Sequence, residues 1–429
     1  MLKGVNVGSK SERLIIKSLG PLKYVDLEVK PFMVFVGESG SGKSLLMKTL
    51  AFCRHVFKEY VRAALSTEKT GKQQASSGRE SGIYSFIRMY DLLDYFSNTS
   101  LLTYEDAGTR VEIWDVDKSK RTLKVSFSPE ITSVDESYGA VAFQKNCFVS
   151  DDRFAIPLLL KGLQVGRLPY YLSRTYDDFL KSFDFLSESN DDDSYIGLDS
   201  LGFGLYRSRG EIDRFFVGPK GSKGYDIGFE HASSGVRSVS VLEPIVKYYT
   251  TSHRDVSSCG SPVNPDTSLS KLIALRDWAS CEISKIAQCA RTNLLIEEPE
   301  LSLFPGQQKR LLNFLVAQFN GAKQEGKKEV NLMFSTHSPY LITHLNCLLK
   351  AASIVRGRPD LEARVGEVVH KSCWLDPRYV SAFKVEGGEI KSLRNADYED
   401  DLIGADSIDS VSRGISSDFE KLLRLEFGI

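Results

Sequence analysis

The stretch that decides the fold is FMVFVGESGSGKS, residues 32–44. Residues 32–36 form a continuous apolar run, as expected of a β-strand that is buried on both faces of a sheet. The next residues match the pattern G-x4-G-K-[S/T], and a helix is predicted over residues 43–65. A phosphate-binding P-loop requires this order of strand, glycine-rich loop and helix start. The sequence therefore predicts an α/β protein with a nucleotide site at this loop.

Each residue type in the loop has a chemical role. The glycines allow backbone N–H groups to curve around a phosphate, and the helix N-terminus adds the positive end of its dipole. Lys43 is expected to reach the β- and γ-phosphates, and the hydroxyl of Ser44 to bind Mg²⁺. We therefore predict ATP and Mg²⁺ as cofactors. The predicted phosphate-binding residues are Gly37, Glu38, Ser39, Gly40, Ser41, Gly42, Lys43 and Ser44.

A second apolar run, residues 294–296, ends in two carboxylates, Glu297 and Glu298. An acidic side chain at the carboxyl end of a strand can hold Mg²⁺, and the next one can polarise the attacking water. We assign Glu297 to the metal and Glu298 to the water. Alone, such a pair is more often a solvated acidic turn, but a P-loop in the same chain favours the catalytic interpretation.

A third predicted strand, residues 331–334, leads to His337. A single histidine after a strand is usually structural. Because His337 lies about 40 residues beyond the carboxylates, it matches the switch histidine that contacts the γ-phosphate in ABC-type ATPases. The predicted catalytic residues are Lys43, Glu298 and His337.

Ser233, Ser234 and Gly235 precede a helix predicted over residues 239–249. Small residues before a helix can bind an anion, although an ordinary helix cap is the alternative. The segment lies where an ABC signature is expected, about 190 residues after the P-loop and about 60 before the carboxylates. A signature segment acts on the nucleotide of the other subunit, so this position predicts a homodimer or a higher even oligomer. Arg237 is either a further phosphate contact or a surface arginine.

Together these motifs resemble the stand-alone OLD/RecF-like ABC-type ATPases, which are often found in bacterial anti-phage systems. The resemblance runs from about residue 14 to about residue 340 and includes residues 18–23, 296–301 and 335–340. It implies an ABC-type P-loop NTPase core with an antiparallel β subdomain and an inserted helical subdomain. Val236 departs from the glutamine that is frequent in relatives, and residues 150–152 depart from a Pro-Ala-Glu pattern, which leaves Arg153 as the match. Gln144 is a candidate for the Q-loop glutamine.

The predicted ATPase core comprises residues 1–60, 110–155 and 225–385, with a helical and β insert at 61–109 and 156–224. Residues 84–97, 157–187 and 269–290 are predicted to be helical, and residues 110–149 to form antiparallel strands. Polar loops are predicted at residues 66–74, 187–193 and 251–268. Residues 386–429 are predicted to form a hairpin at Gly387-Gly388 and a final helix near 416–425, and this segment is either a docking surface or a solvated tail. Glu386, Asp406 and Asp409 resemble the metal-binding carboxylates of a Toprim nuclease domain. Too few residues follow Glu386 to form such a domain, so we do not predict one.

Composition limits the class of protein. The chain has 429 residues, 42% of them hydrophobic, and a formal net charge of -1, so the whole molecule is no polycation. Its seven cysteines include no Cys-x-x-Cys pair. The sequence shows neither a signal peptide at its start nor an apolar run long enough to cross a bilayer. These features predict a cytoplasmic protein without a membrane segment.

The first functional hypothesis is an ATPase subunit that senses or regulates for a partner effector, a nuclease or toxin, in anti-phage defence. The ATPase part follows from the motifs, and the defence part is implied by the resemblance alone. The alternative is an ATP-gated DNA-binding clamp in repair or recombination. Its support is the basic, glycine-rich stretch at residues 207–224, which could contact DNA phosphates, although such a stretch is more typical of an exposed β-hairpin without a ligand.

Overall fold

A computed structural model describes most of the chain. The described residues are 12–70, 76–131, 138, 141–142, 144–162, 168–190, 193–208, 214–219, 227–251, 291–324, 329–394 and 402–404. The predicted helices at 269–290 and 416–425 lie outside these ranges, as do Asp406, Asp409 and nearly all of the predicted loop at 251–268.

The larger of two sheets contains eleven strands in the order β6-β5-β4-β1-β2-β16-β15-β3-β14-β13-β7. Its parallel part contains five neighbouring strands, whose carboxyl ends therefore meet at one edge. These strands are β15 (Val380–Glu386), β3 (Phe32–Val36), β14 (Val330–Thr336), β13 (Thr292–Glu297) and β7 (Lys145–Val149). Strands β3, β13 and β14 are buried throughout, as their apolar runs predict.

Most of the other strands of this sheet form an antiparallel β layer. It contains β1 (Arg13–Leu19), β2 (Leu22–Glu28), β4 (Phe96–Asp106), β5 (Thr109–Asp117) and β6 (Thr122–Ser128). The short strand β16 (Glu389–Ser392) pairs with β15 through a hairpin and joins that strand to β2.

A second, antiparallel sheet has the strand order β12-β11-β10-β9-β8. Its members are β8 (Glu188–Asn190), β9 (Asp193–Leu198), β10 (Phe203–Ser208), β11 (Arg214–Gly218) and β12 (Ile227–Gly228).

Eight α-helices lie in the described ranges. They are α1 (Lys43–Thr70), α2 (Ser76–Met89), α3 (Ile156–Leu160), α4 (Tyr170–Leu186), α5 (Ser234–Thr251), α6 (Pro305–Gln324), α7 (Pro339–Gly357) and α8 (Glu362–Val368). Two hydrophobic cores cover opposite faces of the main sheet: Phe32 and Val34 of β3 point into one, and Met33 and Phe35 into the other. No helix of the described part is both long and apolar enough to cross a membrane.

The predicted fold class is confirmed: a P-loop α/β core carries an antiparallel β layer and an inserted helical and β segment. The predicted hairpin at Gly387-Gly388 is also confirmed, since Glu386 pairs with Glu389. The exact division into domains stays a prediction. Strand β4 pairs with β1 and so belongs to the main sheet, although the predicted division placed residues 61–109 in the insert.

Several predicted element bounds were wrong. Helix α1 continues through Thr70 into the predicted polar loop, and residues 84–97 hold the end of α2, a short 3-10 helix and the start of β4. The predicted helix at 157–187 consists of α3 and α4, and the predicted acidic loop at 187–193 contains β8. Strand β7 pairs in parallel with β13, because it lies in the core rather than in the antiparallel layer. Helix α5 begins at Ser234, five residues earlier than predicted.

Candidate functional site

The glycine-rich loop joins the end of β3 to the start of α1, at the carboxyl edge of the parallel strands. Two of its glycines lie against neighbouring elements. A Cβ on Gly37 would lie 2.5 Å from the carbonyl oxygen of Val385, and one on Gly42 would lie 2.7 Å from Leu22 Cδ2. Gly42 also has a φ of +105°, which side-chain-bearing residues rarely adopt. The loop is therefore held between β15 and the turn that precedes β2.

Lys43 lies over this loop. Its Nζ donates hydrogen bonds to the carbonyl oxygens of Gly37 at 2.8 Å and Glu38 at 2.9 Å. Only 5% of the residue is exposed. Burial lowers the pKa of Lys43, and the charges of Glu298 and Glu300 partly oppose that shift. The predicted phosphate-binding lysine thus lies in the field of the predicted catalytic carboxylate.

The two predicted metal ligands, Ser44 and Glu297, face each other. Burial raises the pKa of Glu297, while the charge of Lys48 and a hydrogen bond from Ser44 lower it. Within the described part of the chain, Glu297 Oε2 accepts a long bond from the Asp151 amide at 3.4 Å, and Oε1 has no hydrogen-bond partner of regular geometry. A hydroxyl beside a carboxylate oxygen with unused lone pairs fits a hard cation such as Mg²⁺.

No group of three or more His, Cys, Asp or Glu side chains in the described ranges could hold a metal on its own. A magnesium ion at Ser44 and Glu297 would therefore need further oxygen ligands. Phosphate oxygens and water are its usual additional ligands in nucleotide sites.

Glu298 and His337 form a pair at the same edge. His337 Nε2 lies 3.0 Å from Glu298 Oε1, and the two side chains are 32% and 30% exposed, respectively. Glu298 has a φ of +41°, a conformation that is costly for a residue with a side chain and that clusters at functional sites. The structure thus brings together two residues that the sequence predicted as catalytic from separate motifs.

Arg153, which the sequence identified only as a match to the family pattern, connects the strand ends. It is fully buried, and its Nη1 donates to the carbonyl oxygens of Ser150 at 3.0 Å and Glu297 at 2.7 Å. Its Nη2 donates to the carbonyl oxygen of Glu298 at 2.6 Å. Burial lowers the pKa of Arg153 to about 10, and nearby carboxylates, Glu300 foremost, oppose the shift.

Sequence reasoning gave no role to Glu300, which lies in the turn after β13. Its Oε1 accepts hydrogen bonds from the Thr336 hydroxyl at 2.6 Å and from the His337 amide at 3.0 Å. Burial raises the pKa of Glu300, and these hydrogen bonds partly oppose the shift. The signal available in the sequence was a third carboxylate close to the end of an apolar strand. Its burial in the structure separates it from an ordinary solvated turn residue, because glutamate is rarely buried unless it is paired.

The signature-like segment lies at the start of α5. Ser233 and Ser234 are exposed, whereas Gly235 is buried. A Cβ on Gly235 would lie 2.5 Å from the carbonyl oxygen of Ser302, so packing against the turn after β13 requires a glycine here. The predicted phosphate contacts of all three residues stay predictions. Arg237 is half-buried, unlike an ordinary surface arginine.

The interpretation of Gln144 as a Q-loop residue was wrong. Gln144 is fully buried, donates to the Arg54 carbonyl oxygen at 3.1 Å and accepts from Asn293 Nδ2 at 3.0 Å. It precedes β7 and therefore lies at the amino edge of the parallel strands, opposite the P-loop.

The basic stretch begins at the end of β10 and includes β11, which pairs with β10 as the predicted hairpin. Arg207 is only 8% exposed, because its Nη1 binds Asp184 at 2.6 Å and its guanidinium lies 5.0 Å from the centroid of the Phe183 ring. It is therefore not placed to contact a DNA phosphate. Residues 209–213 and 220–226 of this stretch lie outside the described ranges.

No model of a known protein family matches this chain, and no curated protein matches it. Among solved structures, an SMC head bound to the C-terminal winged-helix domain of ScpA aligns over 89% of this chain and 95% of that chain, with 11% identity and a TM-score of 0.40. RecF-ATPrS, a recombination mediator protein, aligns over 90% and 99%, with 10% identity and a TM-score of 0.35. A dimeric bacterial ABC transporter cassette aligns over 89% and 99%, with 11% identity and a TM-score of 0.30. At these identities and TM-scores, the similarity establishes neither the activity nor the partners of this chain.

Proposed function

We propose that this chain binds and hydrolyses ATP as an ABC-type ATPase that works as a dimer. One observation carries the proposal: the P-loop, the Ser44–Glu297 pair and the Glu298–His337 pair all lie at the carboxyl ends of the adjacent strands β3, β14 and β13. In open α/β sheets this edge is where ligands bind.

The residues present can divide the work of hydrolysis. Phosphate oxygens could accept the hydrogen bonds that Lys43 now donates to Gly37 and Glu38, which would neutralise charge on the β- and γ-phosphates. Mg²⁺, held by Ser44 and Glu297, would withdraw charge from the phosphate oxygens. Glu298 would take a proton from water as the water oxygen attacks the γ-phosphorus and the bond to the β–γ bridging oxygen breaks. His337 would contact the transferred phosphoryl group.

The same edge offers an uncovered surface that suits a second copy of the chain. Phe304, just beyond the turn after β13, is 78% exposed, and Tyr340, three residues beyond His337, is 58% exposed. Large exposed aromatic residues beside polar site residues are typical of interface anchors. Ser233 and Ser234 are also exposed, as a segment that contacts the partner's nucleotide needs to be.

Native mass spectrometry of Glu298→Gln with Mg²⁺ and ATP tests the dimer. We expect a dimer that retains two ATP molecules, and a shift to monomer when Phe304→Ser is added. Phe185→Ser is the matched control, because Phe185 is an exposed aromatic residue, at 55%, on α4 and away from this edge. A protein that stays monomeric with ATP, or that loses its dimer equally with both substitutions, would contradict the proposal.

We further propose that the ATPase acts as the regulatory subunit of an anti-phage defence system, with a nuclease or toxin as its effector. This part rests only on the motif resemblance. Purification from the native host, with and without ATP and Mg²⁺, tests it. A stoichiometric second protein with nuclease or toxin activity is the expected result. A bare dimer that retains DNA with steep salt dependence would instead favour the clamp.

A further inference from the structure

Glu300 holds the backbone of the switch segment. It is 8% exposed, and its Oε1 accepts from both the Thr336 hydroxyl and the His337 amide, at 2.6 and 3.0 Å. The Thr336 Oγ1 in turn accepts a hydrogen bond from the Ser338 amide at 2.9 Å. A single carboxylate oxygen therefore fixes the chain directly before the His337 Cα and, through the Thr336 hydroxyl, just after it.

The other member of the catalytic pair is fixed separately. The Glu298 amide donates to the carbonyl oxygen of Ser335 at 3.0 Å, and the Glu298 carbonyl oxygen accepts from Arg153 at 2.6 Å. These two bonds hold Glu298 in its left-handed conformation. The 3.0 Å distance between Glu298 and His337 then depends on where the His337 backbone is held.

We propose that Glu300 is a positioning residue for ATP hydrolysis, which sets the His337 imidazole against Glu298 by holding the Thr336 hydroxyl and the His337 amide. The inference rests on the proposed ATPase function and names a residue that acts through another. Glu300 reaches the reaction only through His337.

The geometry also says which substitutions preserve this role. Both hydrogen bonds end on Oε1, and among the described residues Glu300 Oε2 has no hydrogen-bond partner. Glutamine supplies the same accepting oxygen without a charge. Alanine supplies no acceptor, and the aspartate side chain is one methylene too short to reach both donors. Glu300→Gln should therefore preserve the arrangement, whereas Glu300→Ala and Glu300→Asp should lose it.

Steady-state ATP hydrolysis is the first test. We expect Glu300→Ala to lower kcat about 10- to 100-fold, as the loss of a supporting residue around a site commonly does, with little change in KM. Glu300→Gln should stay within about threefold of the wild type. Asp178→Ala is the control, because Asp178 is also a buried carboxylate that accepts a hydrogen bond, from Tyr249 at 2.9 Å. A glutamine variant as slow as the alanine variant would overturn the proposal.

A double-mutant cycle asks whether Glu300 acts through His337. In a His337→Ala background, Glu300→Ala should lower kcat by less than about twofold, because the side chain to be positioned is gone. If the two losses multiply in full, Glu300 acts independently of His337 and the proposal is wrong.

A third measurement does not depend on turnover. Without nucleotide, modification of His337 by diethyl pyrocarbonate, followed by peptide mass spectrometry, should be several-fold faster in Glu300→Ala than in the wild type or Glu300→Gln. The exposed His370 serves as internal reference. Equal rates in all three proteins would overturn the positioning role. A wild type that hydrolyses no ATP but shows the expected modification rates would instead refute the ATPase function, and it would leave only the finding that Glu300 holds His337 in place.

Discussion

The two ends of strands β7, β13 and β14 are both polar, but their polar groups differ in how they are satisfied. At the amino edge, Asn293 donates to Gln144 at 3.0 Å and to Asn146 at 2.7 Å, and accepts from Asn331 at 2.9 Å. These four side chains form a continuous series of amide hydrogen bonds across the three strands. At the carboxyl edge, two buried carboxylate oxygens, Glu297 Oε1 and Glu300 Oε2, have no hydrogen-bond partner of regular geometry in the described part of the chain. The buried atoms without such a partner at the amino edge include Arg54 Nη1 and Thr292 Oγ1, which belong to a guanidinium group and a hydroxyl group.

Charged residues show the same contrast. At the amino edge, Arg54 forms a bidentate pair with Glu12 at 2.7 and 3.0 Å, and the Tyr104 hydroxyl adds a third hydrogen bond to Glu12 at 2.8 Å. At the carboxyl edge, the Glu298–His337 pair is about one-third exposed. A buried carboxylate oxygen is costly unless it is paired, so the two unpaired ones at the carboxyl edge are acceptors that a ligand can use, whereas the carboxylate at the amino edge is paired within the chain.

The largest expected effect is at the amino edge. Arg54→Ala leaves the Glu12 carboxylate buried without its main partner, which should lower the free energy of unfolding by about 3–5 kcal/mol in urea titrations. Arg13→Ala is the control: Arg13 makes an equally short pair with Asp26, but the two side chains are 46% and 33% exposed, so its loss should change stability little. The affinity for ATP should be the same in both variants. Equal destabilisation by the two substitutions would contradict the contrast.

Glu298→Gln should have the next largest effect, at the carboxyl edge. Because glutamine cannot take a proton from the attacking water, we expect kcat for ATP hydrolysis to fall about 100- to 1,000-fold while ATP stays bound. Single-turnover kinetics with radiolabelled ATP measures this loss. Glu386→Gln, on the nearby hairpin and half exposed, is the control and should hydrolyse ATP at the wild-type rate. Hydrolysis at the native rate by Glu298→Gln would refute its catalytic assignment.

Lys43→Ala should weaken ATP binding by about 100-fold or more, because it removes charge-assisted hydrogen bonds to the phosphates. Isothermal titration calorimetry measures this change. Lys58→Ala is the control on the same helix, since Lys58 Nζ donates to the Gln144 carbonyl oxygen at 2.8 Å at the amino edge. If both lysine variants bind ATP as the wild type does, the P-loop is not the nucleotide site.

Motifs predicted which residues lie together better than they predicted the bounds of the elements around them. The P-loop pattern and two apolar runs placed Lys43, Glu298 and His337 at one sheet edge, because buried parallel strands have a strong sequence signal and aligned ends. The sequence did not predict strand β4, because no clear turn signal separates its start from the short 3-10 helix before it. Its place in the sheet depends on pairing with β1, whose paired residues lie 77 to 92 positions earlier in the chain.

The side chains that support the site were harder to infer. Arg153 and Glu300 act through bonds to the backbone of other segments, and such contacts leave no pattern in spacing. Gln144 shows the opposite error. It was a candidate for the Q-loop glutamine, yet its side chain joins the amide hydrogen bonds at the other end of the strand. Whether a polar residue belongs to the site therefore depends on which end of its strand it occupies, and the spacing along the sequence did not give this for Gln144.

The smallest expected effect concerns stability without ligand. Glu297 is 2% exposed, and burial raises its pKa, so ionisation of this carboxylate destabilises the folded protein. Glu297→Gln should raise the free energy of unfolding of the nucleotide-free protein at neutral pH by about 1 kcal/mol. This gain should shrink as the pH falls toward the ordinary pKa of glutamate, where the wild-type carboxyl group is neutral as well. Urea titrations at several pH values measure it.

Adding Mg²⁺ and ATP should reverse the order of the two proteins, because only the wild type offers the magnesium ion a carboxylate. Asn293→Ala, at the other end of the same strand, is the matched contrast: it breaks the amide chain and should lower stability by about 1–3 kcal/mol with or without the nucleotide. If Glu297→Gln behaved like Asn293→Ala, the open acceptor at the carboxyl edge would be structural, and the difference between the two edges would not mark a ligand site.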